Sequence, residues 1–306
     1  MVHEVIARAP GKVNVALVVG DLAADGYHPL ATVFLALDLY EDVEARASTG
    51  LRLEYAPGPI ETSGLATDET NLAMRAARLL AEATGHAPDA ALRLTKRVPI
   101  AGGMGGGSAD AAAALVACDA LWDTRLTFED LLALGAKLGS DVPFALMGGA
   151  AVGTGHGEQL SAALSEGEFH WVLRFSDTGM STPATYRALD EHRERHRSAL
   201  GPTPAPAIDP TVLHALRAGD ATALAEVLVN DLQAPALRLR PDLAEVLEFG
   251  ESHGALAGIV SGSGPTLAFL AEDATAADAL AAQFARDGHD VVRASGPAPG
   301  ARRIDA

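Results

Sequence analysis

Five of the six residues from Gly102 to Gly107 are glycine, and the segment that follows from Ala109 is rich in alanine. Glycine lacks a Cβ atom, so its backbone can adopt positive φ angles and approach a ligand closely. A helix that begins directly after such a loop presents unpaired N–H groups and the positive end of its dipole at the same place. Phosphate is the natural ligand of that arrangement. The sequence therefore predicts a phosphate-binding loop rather than a flexible linker.

The residues around the glycines exclude two common nucleotide motifs. No Gly-Lys-Ser or Gly-Lys-Thr follows, so the loop is not a Walker A sequence. A dinucleotide fingerprint needs a strand immediately before the glycines, whereas here a loop that contains Pro99 precedes them. Ser108 is placed to cap the helix and to donate its hydroxyl to a phosphate oxygen. The residues expected to bind the nucleotide are Pro99, Gly102, Gly103, Met104, Gly105, Gly106, Gly107 and Ser108.

The charge of the chain limits its partners. The net charge is −17, and binding to nucleic acid or to anionic lipid requires basic patches. We therefore expect a small-molecule substrate, with no nucleic acid and no membrane as partner.

The single cysteine, Cys118, forms no intramolecular disulfide, and the first ten residues show no signal peptide. Both observations favour a cytoplasmic protein.

The length of 306 residues predicts about two domains. Hydrophobic periodicity along the chain predicts an α+β fold. Period-two alternation predicts strands over 13–18, 32–39, 43–47, 51–55, 91–95, 169–175, 256–260, 266–270 and 290–294. Helical spacing predicts helices over 70–83, 109–121, 127–138, 182–192, 211–217, 221–229, 242–253 and 274–287. The tail from Gly296 to Ala306 is expected to be loosely held.

Three segments, in the same order along the chain, resemble motifs of the GHMP kinases, the superfamily of galactokinase, homoserine kinase and mevalonate kinase. They are Ala9-Pro10-Gly11-Lys12-Val13-Asn14, Pro99–Ala112 and Ser261-Gly262-Ser263-Gly264-Pro265. The resemblance implies a two-domain α+β fold, with a ribosomal-protein-S5-like ATP-binding domain over 1–158 and a ferredoxin-like α/β-plait domain over 159–306. It implies ATP and Mg²⁺ as cofactors, with ATP and the substrate in the cleft between the domains. The third segment is expected to pack beside the glycine loop.

Further stretches indicate one branch of this superfamily. The most specific is Asp25-Gly26-Tyr27-His28, and Lys12-Val13-Asn14, Leu138–Phe144 and Gly153–Gly155 agree with it. They resemble kinases that phosphorylate the 2-hydroxyl of a cytidine diphosphate sugar alcohol. Two alternatives stay open: another kinase of the superfamily, such as a homoserine or mevalonate kinase, and a non-catalytic binding protein of the same fold. The chain is expected to be a monomer or to form a weak homodimer.

The glycine loop departs from the usual pattern of the family at three positions. The family more often has Leu at Met104, a second Ser at Ala109 and Asn at Asp110. Ala109 removes one hydroxyl from the phosphate site. Ser108 is therefore the one hydroxyl that remains in the loop to bind phosphate.

Asp141 and Lys12 are the expected catalytic residues. Phosphoryl transfer from ATP needs positioning and charge neutralisation, and the attacking hydroxyl must also lose a proton. Asp141 precedes Val142-Pro143, so on the residues alone it is either this base or the cap of a helix. Lys12 is either a surface lysine after a Pro-Gly turn or the cation that polarises the hydroxyl. The resemblance favours the catalytic role for both.

Tyr27, His28 and Asn14 are expected to bind the substrate. An aromatic ring can stack on cytosine and a histidine can hydrogen-bond its edge, and the resemblance implies these roles near the cytidine. The alternative is a turn whose histidine faces solvent. Asn14 shares a strand face with Lys12, because alternate residues of a strand point to the same side. The sequence shows no carboxylate cluster of the kind that forms a metal cage, so no residue is expected to bind a metal ion. Mg²⁺ is expected to enter with ATP.

Overall fold

The computed structural model describes residues 4–176, 178–200 and 203–304, without the side chains of residues 197–200. Its strands are β1 (Glu4–Val19), β2 (Leu30–Ala47), β3 (Arg52–Tyr55), β4 (Ala90–Thr95), β5 (Ala150–Thr154), β6 (Gln159–Ala163), β7 (Phe169–Arg174), β8 (Val229–Asn230), β9 (Ala257–Val260), β10 (Leu267–Ala271), β11 (Val291–Gly296) and β12 (Arg302–Ile304). Its helices are α1 (Leu72–Thr84), α2 (Gly106–Trp122), α3 (Phe128–Leu138), α4 (Val142–Met147), α5 (Thr182–Leu200), α6 (Pro210–Ala218), α7 (Ala221–Val227), α8 (Gln233–Leu239), α9 (Asp242–Ser252) and α10 (Ala274–Arg286).

The long antiparallel hairpin of β1 and β2 is the centre of the first sheet. β4 and β3 continue from β2, β12 and β8 pair with β1, and β5 links β2 to β6. The register of β1 against β2 shifts between Pro10 and Gly11 and again between Asn14 and Ala16. Such irregularities bend a strand and redirect its side chains. The segment that carries Lys12 and Asn14 therefore lies between two bends of β1.

Strands β7, β9, β10 and β11 form a second sheet in the order β11-β7-β10-β9, with every neighbouring pair antiparallel. In chain order this is the 4-1-3-2 arrangement of a β-α-β-β-α-β unit, in which α5 to α9 follow the first strand and α10 follows the third. It is the α/β plait that the resemblance implied for the second half of the chain. The α+β fold class is confirmed.

Three strands of the second half belong to the first sheet, and one of them, β8, pairs with β1 in parallel. β6 pairs with β5, and β12 pairs with β1 so that Ile304 lies opposite Ile6. The expectation of a loosely held tail is wrong for residues 296–304, because backbone hydrogen bonds of β11, of β12 and of Ala298 and Ala301 between them fix this segment. Residues 305–306 lie outside the described part of the chain. The division of the chain at residue 158 stays a prediction.

Helix α2 is buried in the core of the first half. Six alanines between Ala109 and Ala117 have no exposed surface, and a helix that is apolar all round is a buried helix. These small side chains let α2 pack closely on α1, β1 and β2. Burial raises the pKa of the Cys118 thiol to about 12, so this cysteine is an inert core residue. Within the described residues, neither α2 nor another helix is long and apolar enough to cross a membrane.

Helix α9 packs on the second sheet at two glycines. The fully buried ring of Phe269 fills the space beside Gly250 of α9 and Gly258 of β9. A Cβ atom at Gly250 would overlap atoms of that ring. The close approach of helix and sheet therefore depends on the absence of a side chain at this position.

Gly250→Ala is expected to lower the free energy of unfolding by about 1–3 kcal/mol, because the buried ring must move to admit a methyl group. Alanine otherwise favours a helix over glycine by about 1 kcal/mol, so a loss of stability identifies the clash. Glu248→Ala, at an exposed position of the same helix, is the control and is expected to change stability by less than about 0.5 kcal/mol. Urea denaturation followed by circular dichroism measures both. A Gly250→Ala variant as stable as the wild type would contradict the packing argument.

Candidate active site

A cavity of about 1190 Å³ is lined by residues from both halves of the chain. The first half contributes strand β1, the glycine loop and the start of α4, and the second half contributes α5 and the turn after β9. Of the residues expected in the site, those that line the cavity are Lys12, Asn14, Tyr27, His28, Pro99, Gly102, Gly103, Gly105, Gly106, Gly107, Ser108 and Asp141. Met104 is not among the lining residues. The cavity is therefore the candidate active site.

The glycine loop leads into α2, which begins at Gly106 rather than at Ala109. Gly105 is the N-cap residue with a φ of 74°, a left-handed conformation that favours glycine. The expectation that Ser108 caps the helix is wrong, because the left-handed Gly105 starts the helix earlier and leaves Ser108 in its first turn. The N–H groups of that turn have no partner within the helix, and no side chain caps them. They are donors suited to phosphate oxygens.

Hydrogen bonds from both halves of the chain hold the loop. The N–H of Lys12 donates to the carbonyl of Met104 at 3.0 Å, while the Met104 side chain is buried in the core. The hydroxyl of Ser261 donates to the carbonyl of Gly103 at 3.2 Å, and a Cβ atom on Gly103 would overlap the Ser261 carbonyl. Met104 thus serves the site through its backbone. The third motif packs beside the loop, as the resemblance implied.

Lys12 and Asp141 meet beside the loop, with Nζ and Oδ2 3.6 Å apart. The Lys12 side chain is 8% exposed, and its Nζ donates to Asn14 Oδ1 at 2.7 Å. Asn14 Nδ2 in turn donates to Thr32 Oγ1 at 2.8 Å. A Cβ atom on Gly105 would lie 3.5 Å from Lys12 Cγ and 3.7 Å from Asp141 Oδ2. The hydrogen bonds through Asn14 therefore fix the Lys12 ammonium group at the place where the Asp141 carboxylate meets the glycine loop.

Asp141 stands at the N-cap position of α4, but its side chain makes no capping hydrogen bond. The helix is held instead by its buried residues Val142 to Leu146, with Pro143 in the first turn. The carboxylate is consequently not used as a cap and lies against Lys12. This geometry favours the catalytic interpretation of Asp141 over the capping one.

Helix α5 and the loop that carries His28 form one end of the cavity. His28 Nε2 and Asp190 Oδ1 are 2.9 Å apart, and the His28 ring lies against Tyr186 with the ring centroids 5.0 Å apart. Burial, followed by the charge of Asp141, raises the pKa of Tyr186 to about 12, so its phenol stays protonated. The His28 side chain is therefore fixed in the cavity wall by Asp190 and Tyr186 and does not face solvent from a turn.

Tyr27 lies at the rim of the same end and is 62% exposed. Its ring stacks on that of His156 with centroids 4.9 Å apart, and its N–H donates to Asp25 Oδ1 at 3.0 Å. An exposed aromatic ring at the rim of a cavity can stack on a flat ligand.

Another part of the cavity is lined by Tyr55, Leu65, Asn71, Leu72 and Lys96. Asn71 caps α1 through its Oδ1, and its Nδ2 donates to the Tyr55 hydroxyl at 2.7 Å. Leucine side chains with a few placed polar groups are typical of a pocket for a flat heterocycle. None of these five residues is among those expected from the sequence.

Two kinds of residue were thus missing from the sequence-based prediction. Tyr186 and Asp190 lie four positions apart on α5, a spacing that places an aromatic ring and a carboxylate on one helix face and was available as a signal. Tyr55 and Asn71 carry no such signal, because they meet only through the packing of β3 beside the start of α1.

At the base of the glycine loop, Lys96 lies between two buried carboxylates. Its Nζ is 2.6 Å from Glu41 Oε1 and 2.5 Å from Asp110 Oδ2. Glu41 also accepts hydrogen bonds from the N–H groups of Arg97 at 2.8 Å and Val98 at 3.2 Å, which lead into the loop. We call these three side chains the Glu41–Lys96–Asp110 cluster. It ties β2, the end of β4 and α2 together around the loop.

Comparison with known proteins gives matches over both halves of the chain. The model of the GHMP kinases N terminal domain matches residues 71–149, and that of the GHMP kinases C terminal domain matches residues 212–290. A 4-diphosphocytidyl-2-C-methyl-D-erythritol kinase of Leifsonia xyli subsp. xyli (strain CTCB07) is 61% identical over 298 residues, which are 96% of this chain and 97% of the relative. A kinase of the same name from Mycobacterium tuberculosis (strain ATCC 25177 / H37Ra) is 50% identical over 304 residues, 99% of this chain and 93% of the relative.

Solved structures share the fold. A crystal structure of 4-(cytidine 5'-diphospho)-2C-methyl-D-erythritol kinase has a TM-score of 0.75 and 33% identity, and the match covers 95% of this chain and 98% of the other. The L. major mevalonate kinase in complex with R-mevalonate has a TM-score of 0.76 at 16% identity over 98% of both chains, which shows the fold alone. The family models and the relatives at 61% and 50% identity confirm the expected two-domain fold and an ATP-dependent small-molecule kinase. The chain belongs to the GHMP kinase family.

Proposed function

We propose that this chain transfers the γ-phosphoryl group of ATP to the 2-hydroxyl of 4-diphosphocytidyl-2-C-methyl-D-erythritol, in the methylerythritol phosphate route to isoprenoid precursors. The observation that carries the proposal is the Lys12–Asp141 pair, 3.6 Å apart, which lies against the glycine loop and shares its cavity with His28 and Tyr186. A phosphate donor on the loop and an acceptor in the histidine end would meet at this pair. The names of the 61% and 50% identical relatives support the identity of the acceptor.

In this proposal the glycine loop binds the phosphates of ATP. The first-turn N–H groups from Gly106 to Ser108 and the positive end of α2 offset the phosphate charge, which a protein of net charge −17 would otherwise repel. The Ser108 hydroxyl adds one further donor. The adenosine then occupies the part of the cavity lined by Tyr55 and Asn71.

Mg²⁺ is proposed to arrive with the nucleotide, where it neutralises charge on the β- and γ-phosphates. Over the described part of the chain, no three His, Cys, Asp or Glu side chains are grouped to hold a metal ion. Mg²⁺ keeps several water ligands when phosphate oxygens supply the others. The residues present thus fit an ion carried by ATP and do not fit a protein-built cage.

The transfer itself is assigned to Asp141 and Lys12. Asp141 accepts the proton of the acceptor hydroxyl while that oxygen bonds to the γ-phosphorus, and ADP leaves with the electron pair of the broken P–O bond. The ammonium group of Lys12, held by Asn14, stabilises the charge that develops on the phosphoryl oxygens. Asn14 is accordingly proposed to position Lys12 as well as to face the substrate.

The cytosine of the acceptor is proposed to bind at the end of the cavity that contains His28. The ring of Tyr186 offers a partly buried wall and the exposed ring of Tyr27 a rim, and both can stack on the base. His28, held by Asp190, can hydrogen-bond the edge of the base. This arrangement gives the substrate-binding role of the Asp-Gly-Tyr-His segment a physical basis.

The enzyme is further proposed to work in the cytoplasm as a monomer or weak homodimer, without a nucleic-acid or membrane partner. The net charge of −17 and the single, buried cysteine support this setting.

Release of ADP from Mg-ATP in the presence of single acceptors tests the proposal. The panel consists of 4-diphosphocytidyl-2-C-methyl-D-erythritol, homoserine and mevalonate. Turnover confined to the cytidyl compound is the expected result. Turnover only on homoserine or mevalonate would assign the chain to another branch of the family, and binding of ATP without turnover on any acceptor would leave a non-catalytic protein.

Asp141→Asn is expected to lower kcat by about 10²–10⁴-fold, because an amide cannot accept the proton of the acceptor hydroxyl. The Kd for ATP is expected to stay within about twofold of the wild-type value, because the loop makes the phosphate contacts. Asp123→Asn, which alters an exposed carboxylate at the end of α2, is the matched control and is expected to keep the wild-type kcat. A coupled ADP assay and calorimetry give the two constants. Wild-type turnover by Asp141→Asn would remove Asp141 from the mechanism.

His28→Ala is expected to raise KM for the cytidyl substrate by about tenfold, since the loss of a hydrogen bond in a buried site costs about 1–3 kcal/mol. KM for ATP is expected to change little, because His28 lies with α5 and not with the glycine loop. His214→Ala, at an exposed position of α6, is the control. Steady-state kinetics with each substrate varied in turn measures the effect. Equal increases in both KM values would contradict the assignment of cytosine to this end.

A further inference from the structure

The Glu41–Lys96–Asp110 cluster places two carboxylates on one ammonium group. The side chains of Glu41, Lys96 and Asp110 are 0%, 4% and 7% exposed. Both carboxylates contact the same Nζ, so Lys96 neutralises only one of them. When both are ionised, the cluster carries one uncompensated negative charge, which is costly at a buried site.

The other charged groups packed around the cluster, as far as the structure describes the chain, supply no second cation. Arg97 directs its guanidinium to Asp42, and only its backbone N–H reaches Glu41. Burial, followed by the charge of Asp110, raises the pKa of Tyr55, so this phenol stays neutral. The start of α2 adds only partial positive charge. A proton is therefore the remaining means of neutralising the cluster.

The cluster lies against the phosphate-binding end of α2. Lys96 and Asp110 both line the cavity. A Cβ atom on Gly106, the first residue of the helix, would lie 3.2 Å from Glu41 Oε1. Asp110 Oδ1 is buried without a hydrogen-bond partner in the described structure, and a proton can occupy it. An uncompensated negative charge at this place opposes the binding of phosphate at the same helix start.

We propose that the Glu41–Asp110 pair takes up one proton when the nucleotide binds, so that affinity for ATP is coupled to the protonation of this buried pair. The proposal rests on the proposed role of the glycine loop as the ATP site. The proton comes from solvent and binds a carboxylate oxygen, and no bond of the nucleotide changes. Asp110 creates the coupling, because asparagine at this position would leave Glu41 and Lys96 as a neutral pair.

The direction of the coupling follows from the titration of the pair. Burial raises the pKa of both carboxyl groups, and the charge of Asp110 adds to the effect of burial on Glu41, whose pKa rises to about 8. Below that pH the pair holds its proton and the phosphates bind without opposition. Above it the pair is ionised and affinity for ATP falls. By reciprocity, bound phosphate holds the proton on the pair to higher pH.

Calorimetric titration of the whole protein with ATP, in two buffers of different ionisation enthalpy, counts the protons taken up on binding. At about pH 8 half of the unliganded pair already holds its proton, so the wild type is expected to take up about half a proton more per ATP than Asp110→Asn. The ratio of the wild-type Kd to that of Asp110→Asn is expected to rise about three- to tenfold between about pH 7 and about pH 9. The titration of ATP itself is common to both proteins and cancels in these comparisons.

Asp123→Asn removes a carboxylate from the exposed end of the same helix and is expected to keep the wild-type proton uptake. Equal proton uptake by the wild type and Asp110→Asn would overturn the proposal. If Asp110→Asn does not fold, the wild type still tests it, since ATP binding without proton uptake overturns the coupling. Failure of the wild type to bind ATP at any pH would overturn the proposed function as well, which separates the two conclusions.

Discussion

The close approach of three backbone segments at the glycine loop is the constraint on which the site depends. β1 reaches the loop through the hydrogen bond from Lys12 to Met104, and the turn after β9 reaches it where Ser261 meets Gly103. A side chain at Gly103 would separate these segments. Both contacts come from the protein itself, one from a backbone N–H and one from the Ser261 hydroxyl, so the conformation of the loop does not wait for a ligand. The side chains of Lys12 on β1 and Asp141 at the start of α4 are positioned relative to a loop that is already shaped.

The electrostatics of the site balance attraction for phosphate against the acidity of the protein. A chain of net charge −17 binds a polyanionic nucleotide only if the local field is reversed. The reversal comes from oriented N–H groups and from ammonium groups that lie in the cavity wall. Three carboxylates at the cavity each have a basic partner: Asp141 with Lys12, Asp190 with His28 and Asp110 with Lys96. Only the last pair shares its cation with a second acid, Glu41, and this is why its charge depends on pH.

Much of this architecture could be predicted from local sequence patterns. Period-two alternation identified β1 to β4, β7 and β9 to β11 but not β5 or β6, and helical spacing identified most helices, because burial of one face imposes those periods. The cap of α2 was assigned wrongly, since the left-handed conformation of Gly105 outweighs the preference of Ser108 for a cap. Strands as short as β8 and β12 have no period to detect and exist only through pairing with β1.

The residues of the site likewise divide into those that stand in a sequence motif and those that meet only in the tertiary fold. The neighbours Tyr27 and His28 and the motif residues Lys12 and Asp141 were found because each stands in a recognisable segment. The spacing of Tyr186 and Asp190 places them on one helix face, but it does not show that they meet His28, which is 162 positions from Asp190 along the chain. The burial of the Met104 side chain also depends on distant packing, since it lies in a cluster that includes strands of both sheets. Pairing over such distances is set by the tertiary fold and not by sequence spacing.

The pairing of β12 with β1 has a consequence for the way the chain is made. β1 carries Lys12 and is synthesised before the other strands of the sheet, yet one of its neighbours is formed by residues 302–304. The sheet that holds Lys12 therefore keeps an open edge on the ribosome until that segment has emerged. An open edge exposes unpaired N–H and C=O groups to other nascent chains. A shortened chain that lacks these residues would leave this edge of β1 exposed in the finished protein, even though it retained every residue that lines the cavity.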